Sequence, residues 1–415
     1  MSPRPRAALL VAGAALLALV VPLALAALAL AVVAVVVAVD ALAVRRRPEI
    51  VRTLPSLLSR GVAAPLRLEL VGAVPGRARL RQPLPPDLGL SPSEADERLD
   101  AALVPRRRGR HVLPAAAVRL DGPLGLGCWY HRGEEEAELL VYPDLPTAFR
   151  LALAVRRGRF AEEARRSIGP LGLGTEFESV REYLPDDDVR HVNWRATVRL
   201  GRPMSNQFRL EQDRDVICLV DSGRLMAAPL GDRTRLDAAV DAVAAVAAVA
   251  DEVGDRCGVL AFDTEVRRLV TPRRKGSRAV LKAVFDLEPR PVDSDYELAF
   301  RTLRGAKRAF LLVLTDLLEE AAARPLVDAV PLLARGHAVT VASAADTDLT
   351  AIVRREPEAA VDVYGAAVAL DVLEARARVS ARLRGAGAGV VEAEPTRLAI
   401  SCVAAYLRAK ARARL

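Results

Sequence analysis

Cysteine is scarce in this 415-residue chain, with only four, at 128, 218, 257 and 402. They lie far apart, form no CxxC and have no histidine at ligand spacing, which excludes a disulfide scaffold and a zinc site and fits a reducing compartment. Histidine is equally rare, at 111, 131, 191 and 337, with no partner at a spacing that acid–base chemistry uses. GxSxG, GxxxxGK[ST] and HExxH are all missing, so there is no nucleophile elbow, phosphate loop or zincin helix. Lysine supplies only four of the 60 basic residues. The arginine in its place accompanies abundant alanine and valine, a bias of high-GC genomes, so the arginine count is weak evidence for phosphate binding. The net charge of +8 is spread along the chain and aromatics are 4% of it. A nucleic-acid surface wants clustered cations interleaved with aromatic rings. That class is set aside.

Apolar residues make up 52% of the chain, and the excess sits at one end. Ala7 to Val44 carries a single charge, Asp40. The run is too long for one crossing of about 20 residues and too long for a signal-peptide core of about 7–15. Val21-Pro22 breaks it into two short spans, roughly 8–21 and 23–43. Arg4 and Arg6 precede the pair and Arg45, Arg46 and Arg47 follow it. Positive charge at both ends predicts a transmembrane α-hairpin over 1–44, with both termini and everything after residue 44 in the cytoplasm. The protein is therefore expected in the cell membrane as a multi-pass chain. Asp40, near the span end, is expected at the membrane interface.

The soluble remainder changes texture twice. Over 45–150, short alternating runs such as LRLELVG (66–72), RARLRQP (77–83) and AELLVYP (137–143) are broken by Pro and Gly. That pattern predicts a β-rich, sandwich-like domain. GPLGLG occurs at 122–127 and at 169–174, never between a strand and a helix, and reads as a pair of turns. Over 214–415, DVICLVD (215–221), CGVLAFD (257–263), AFLLVLTD (309–316) and AVTVASA (338–344) are continuous apolar runs, as in strands covered on both faces. Helical periods lie between them, and EVRRLVTP (265–272) reads as a hairpin partner at the sheet edge. Strands alternating with helices predict an α/β doubly wound sheet, whose ligand sites lie beyond the carboxyl ends of the strands. Those ends carry Asp221, Asp263 and Asp316.

Four motifs are specific: GTEFESVREYLPDDDVRHVNWRATVRLGRP (174–203), VDSGRLM (220–226), TDLL (315–318) and YLRAK (406–410). Through them the chain resembles the domain of unknown function 58 family over nearly its whole length, with Asp186-Asp187-Asp188 where that family usually has Gly-Asp-Asp. The resemblance implies a membrane hairpin, a β-rich region, a connecting segment (151–213) and a von Willebrand factor A-like α/β domain. Such domains usually hold Mg²⁺ with an Asp-x-Ser-x-Ser loop, a Thr and a further Asp. Here Asp221 and Asp316 match the carboxylates, but Gly223 and Leu225 stand at both serine positions, and the Thr position falls near Ser294, between Asp293 and Asp295. No cofactor is expected. Arg224 is expected to take the cation's place beside Asp221 and Asp316 through bidentate hydrogen bonds.

The resemblance also implies a partner, a MoxR-type AAA+ ATPase, in a chaperone-like or assembly role. The leading expectation is a non-enzymatic membrane adaptor whose protein-binding surface is Asp221, Ser222, Gly223, Arg224, Ser294, Asp295 and Asp316. The alternative is a divalent-metal hydrolase using Asp221, Asp293, Asp295 and Asp316 to generate a bound hydroxide. The stretch from Arg181 is expected to be a scaffold between modules. In it, Arg181, Arg190 and Arg195 would pair with Glu182, Asp187 and Asp188, with Trp194 packed as an anchor. Oligomeric state is left open.

Overall fold

The computed structural model describes residues 2–411 except 18, 20, 134, 161–175, 185–191, 210–213, 306, 318 and 319. The chain forms two compact units, Met1–Tyr142 and Pro143–Leu415. The hairpin thus belongs with the β-rich region, and that region ends at Tyr142 rather than 150. The segment after it, expected as a connector, falls inside the second unit.

In the first unit, Pro22 stands at the N-terminus of the Leu23–Ala43 helix, and the helix Pro5–Leu17 precedes it. At about 1.5 Å per residue the first is about 20 Å long and the second about 32 Å, against a hydrocarbon core of about 30 Å. Only Leu23–Ala43, among the described residues, is long and apolar enough to cross a membrane. The remainder is almost wholly antiparallel. A five-stranded sheet runs Ser2–Pro3, Gly127–Arg132, Ala117–Asp121, Arg77–Arg81, Glu94–Asp96. A four-stranded sheet runs Glu49–Thr53, Ala64–Val71, Arg98–Pro105, Leu88–Ser91. A three-stranded sheet places Ala137–Tyr142 between Leu58–Ser59 and Gly109–Leu113. Alternation sets the faces: in Arg98–Pro105, Leu99, Ala101 and Leu103 are buried, while Arg98 and Asp100 face out. Leu66, Leu68, Leu80, Leu113, Leu120 and Val141 belong to the same core.

The second unit is built on a six-stranded mixed sheet. In spatial order its strands are Val266–Arg274, Arg256–Phe262, Asp215–Asp221, Ala309–Leu314, Ala338–Ala344 and Gly389–Ala393. All neighbours are parallel except the edge pair Val266–Arg274 and Arg256–Phe262, the hairpin expected from the sequence. Val216, Cys218 and Val220 face one core, which holds the helices Arg235–Glu252 and Pro395–Ala411. Ile217 and Leu219 face another, under Tyr296–Thr302, Glu320–Gly336 and Ala360–Gly385. Covering both faces is why these strands read as unbroken apolar runs. A helix not expected from the sequence, Leu145–Arg156, buries Leu145, Ala148, Leu151 and Ala152, and Asp144 caps it through Thr147 N–H at 3.0 Å. Between these elements, Glu176–Glu182 and Met204–Arg209 form a two-stranded antiparallel sheet with the short helix Trp194–Leu200 between them.

Candidate functional site

Chain order reverses in the sheet at Asp215–Asp221, whose neighbours are the next strand in sequence and, on the other side, Ala309–Leu314. Loops leaving such a pair in opposite directions open a crevice at the carboxyl ends. Asp221 and Asp316 sit there, at 2% and 3% exposure. The loop after Asp221 is stitched down by backbone bonds. Ser222 N–H donates to Phe262 O and Arg224 N–H to Val292 O, each at 2.8 Å, and Arg290 N–H donates to Ser222 O at 2.8 Å. Ser222 Oγ also donates to Phe262 O, at 3.0 Å.

Asp221 is met by four neutral donors. Gly223 N–H (2.8 Å) and Ser294 Oγ reach Oδ1, while Tyr296 OH (3.0 Å) and Thr315 Oγ1 (2.7 Å) reach Oδ2. Burial and the neighbouring Asp221 charge push the Tyr296 phenol well above its usual range, so it stays a donor. Gly223 is required by the close approach of the 292–294 segment. A Cβ there would run into Ser294 Oγ and stand 2.8 Å from Val292 O and 3.2 Å from Asp221 Oδ1. Ser294 thus delivers its hydroxyl into the space that a side chain at 223 would fill.

Asp316 is held differently. Arg235 Nη1 lies 3.2 Å and Arg376 Nη2 3.0 Å from its Oδ1, with Leu317 N–H at 2.8 Å and Ser343 Oγ at 3.3 Å. Both guanidiniums also donate to Ala344 O at 3.0 Å, and Arg235 reaches Asp346 at 3.1 Å. Burial raises the Asp316 carboxyl above its ordinary value, and the two arginines pull it back only in part. Here the sequence expectation is corrected. The guanidinium that Arg224 brings goes to Asp293, at 2.5 Å, on the surface, where Asp293 is 77% exposed. The cations on Asp316 come instead from two helices. Arg235 opens the Arg235–Glu252 helix behind a Thr234–Asp237 capping box, and Arg376 lies past the middle of Ala360–Gly385.

The donor set does not fit a Mg²⁺ ion. Octahedral coordination needs several open oxygen ligands, whereas both Asp221 oxygens are taken, Gly223 admits no hydroxyl and Leu225 has none. Asp316 Oδ2 has no hydrogen-bond partner, but its carboxylate already carries the Arg235 and Arg376 cations. Among the described residues no group of three or more His, Cys, Asp or Glu side chains is arranged to hold a metal.

The other expected residues scatter. Asp295 caps the Tyr296–Thr302 helix through Leu298 N–H at 2.9 Å, and its own N–H donates to Asp263 O at 2.9 Å. Asp263 is fully buried and paired with Arg267 at 2.7 Å. Burial acts to raise its carboxyl, but the Arg267 hydrogen bond, the Glu265 N–H and Arg290 outweigh it, leaving it below the usual range. Trp194, 67% exposed, is not the packed anchor expected. Arg195 is exposed as well, and Glu182 forms an exposed pair with Arg202 at 3.7 Å. A seven-residue helix with no buried residue supplies nothing for the indole to pack on. Asp186, Asp187, Asp188, Arg190, the side chain of Arg181 and the second GPLGLG (169–174) lie outside the described residues.

Sequence reading missed a second buried cluster at the opposite end of the sheet. Lys410 Nζ, fully buried, lies 2.6 Å from Asp255 Oδ2, which also accepts Tyr406 OH, while Asp255 Oδ1 accepts Arg214 N–H at 3.0 Å. The i, i+4 spacing of Tyr and Lys in YLRAK was the available signal.

The second unit is thus a mixed α/β domain with two buried carboxylates at its strand ends, Asp221 with both oxygens hydrogen-bonded and Asp316 with Oδ1 bonded and Oδ2 lacking a hydrogen-bond partner. Residues 179–373, just under half of the chain, match the family described as "Protein of unknown function DUF58". Among curated proteins the chain is similar to "Uncharacterized protein Rv1480" of Mycobacterium tuberculosis (strain ATCC 25618 / H37Rv) and to "Uncharacterized protein Mb1516" of Mycobacterium bovis (strain ATCC BAA-935 / AF2122/97). Each is 26% identical over 153 residues, covering 35% of this chain and 48% of the relative. The chain spans about half the length of the curated relatives it matches.

Proposed function

We propose that the protein is a non-enzymatic adaptor, anchored in the cell membrane by its N-terminal hairpin. Its von Willebrand A-like second unit offers the face around Asp221 and Asp316 to a protein partner, a MoxR-type AAA+ ATPase, in an assembly or chaperone-like role. The observation that carries the reading is the state of Asp221. Its carboxylate is a node of hydrogen bonds from Gly223, Ser294, Tyr296 and Thr315, which ties the surface loops 221–224 and 292–296 into one rigid rim. General acid–base work needs a group poised to exchange a proton with substrate, and a carboxylate with four fixed donors is poised to hold a loop. Asp293, Arg224 and Asp295 on that rim supply charged groups for recognition, where charge patterns set specificity and association rate.

Membrane anchoring is supported by the apolar Leu23–Ala43 helix and by the arginines before and after the hairpin. The positive-inside tendency favours both ends in the cytoplasm.

The test is a pull-down of the MoxR-type ATPase from the same source by the full chain in lipid nanodiscs, with ATP, with ADP and without nucleotide. Binding that Arg224→Glu and Asp293→Arg each weaken supports the adaptor. Absence of binding in every nucleotide state sinks it. Calorimetric titration with Mg²⁺ and Mn²⁺ addresses the rival chemistry: tight binding that Asp221→Ala abolishes would favour a metal-dependent hydrolase.

A further inference from the structure

The hairpin is not joined to the first unit by a free linker. Asp40, in the last turn of the Leu23–Ala43 helix, is 3% exposed. Its carboxylate accepts the backbone N–H groups of Leu124 (2.8 Å), Leu126 (2.8 Å) and Gly127 (2.9 Å). All three belong to the first GPLGLG, 122–127. That loop lies flat on the helix because two of its residues lack a Cβ. One at Gly122 would overlap the Asp40 carboxyl group, and one at Gly127 would stand 2.6 Å from Ala41 Cβ and 2.8 Å from Val37 O.

The opposite end of the hairpin is held to the same loop. Ser2 and Pro3 pair with Cys128 and Gly127, Arg4 N–H donates to Leu126 O at 2.9 Å, and the Arg4 guanidinium pairs with Asp121 at 3.1 Å. Past the helix, Val44 is buried in the core of the unit and its carbonyl lies 3.0 Å from His131 Nε2. The turns expected of GPLGLG are therefore a receptor for one carboxylate, and Asp40 is buried against protein there.

A carboxylate on an apolar helix is costly unless donors meet it, and here all the donors come from one loop. This fixes the depth of the loop, level with the last helical turn, where hydrocarbon gives way to headgroups. At that level Leu124 is 60% exposed and its neighbour Pro123 is exposed too. Arg6, in the first turn of Pro5–Leu17, and Arg45 and Arg46, just past Leu23–Ala43, are also exposed. We propose, resting on the membrane-anchored reading above, that the 122–127 loop is itself a lipid-contact surface. Leu124 enters the acyl–headgroup boundary beside the second helix, continuing its apolar surface. The arginines hold the phosphates of anionic phospholipids, to which basic juxtamembrane groups are drawn. The first unit is then seated on the bilayer as a rigid body, with Asp40 as the positioning residue.

The experiment places an environment-sensitive fluorophore at Leu124→Cys in the full chain, held in phosphatidylcholine nanodiscs with or without phosphatidylglycerol. The four native cysteines are buried, so the label goes to position 124. Val112→Cys, on a strand of a different sheet, is the exposed reference. The label at 124 is expected to be blue-shifted and several-fold less quenched by iodide than the label at 112, with further protection when phosphatidylglycerol is present. Asp40→Leu is expected to raise quenching at 124 to the reference level while the chain stays in the nanodisc. Equal quenching at 124 and 112 in an embedded chain overturns the lipid contact. Indifference to phosphatidylglycerol overturns the role of the arginines, and indifference to Asp40→Leu overturns the lock. A chain that elutes free of the nanodisc overturns the anchoring reading beneath all of these.

Discussion

Placing a serine at position 223 puts the closed Asp221 loop to a direct trial. In Gly223→Ser the new Cβ collides with Ser294 Oγ, a side-chain atom, and presses on Val292 O at 2.8 Å, a backbone atom. Forcing extra atoms into a packed site costs about 1–3 kcal/mol. At about 2–4 °C per kcal/mol for a domain of this size, Gly223→Ser should lower the melting temperature by several degrees. Ser294→Ala alone removes one hydrogen bond to a carboxylate, a loss of about 1.5–3 kcal/mol where no other donor compensates. Asp221 keeps three other donors, so the lower end applies. The double variant distinguishes the reasoning from simple damage. With Ser294 Oγ gone, the serine at 223 gains room and its hydroxyl can donate to Asp221 in place of the lost one. The double variant should therefore melt above the sum of the two single losses, with a coupling of about 0.5–3 kcal/mol. The Val292 carbonyl remains, so recovery to the parent value is not expected. Thermal melts of the four chains in one detergent, followed by near-UV circular dichroism, measure this. Strict additivity, or a Gly223→Ser protein that melts like the parent, would refute the claim that Ser294 occupies the place of a side chain at 223.

Trp194→Ala should leave the melting temperature almost unchanged, within the ±0.5 kcal/mol of a surface substitution. A loss of about 3–5 kcal/mol, the cost of truncating a packed indole, would restore the anchor role read from the sequence. Lys410→Ala leaves Asp255 buried without its cation and should cost about 3–5 kcal/mol in the same melts, whereas Arg202→Ala, in an exposed pair, should cost about 0–1 kcal/mol. For pH, Asp263 has a folded-state pKa below its ordinary 3.8, so its stabilising contribution is full above that value and is lost as pH falls through the folded one. Asp263→Asn should accordingly be less stable than the parent at neutral pH, with the gap narrowing below about pH 3.8. A gap that stays constant through the acid range would show that Asp263 acts through packing alone.

Most of the sheet in the second unit was legible because burial on both faces writes itself locally, as unbroken apolar runs ending in Asp221, Asp263 and Asp316. The edge hairpin was legible because Val266–Arg274 follows its partner at once and pairs with it antiparallel. The break at Pro22 was legible because proline removes a ladder N–H and clashes with the preceding turn, a cost that the Glu320–Gly336 helix nonetheless bears at Pro325 and Pro331. What the sequence could not say is which charged groups meet. Arg224 stands beside Asp221 in the chain, yet Asp316 is answered by Arg235 and Arg376, 81 and 60 residues away. Asp40 is answered by a loop 84 to 87 residues on, and Asp255 by Lys410, 155 residues away. Periodicity reports which face of an element is apolar. Only packing those faces decides which side chains arrive at the same desolvated point, and there an unpaired charge is too costly to persist, so the pairing follows from the tertiary arrangement.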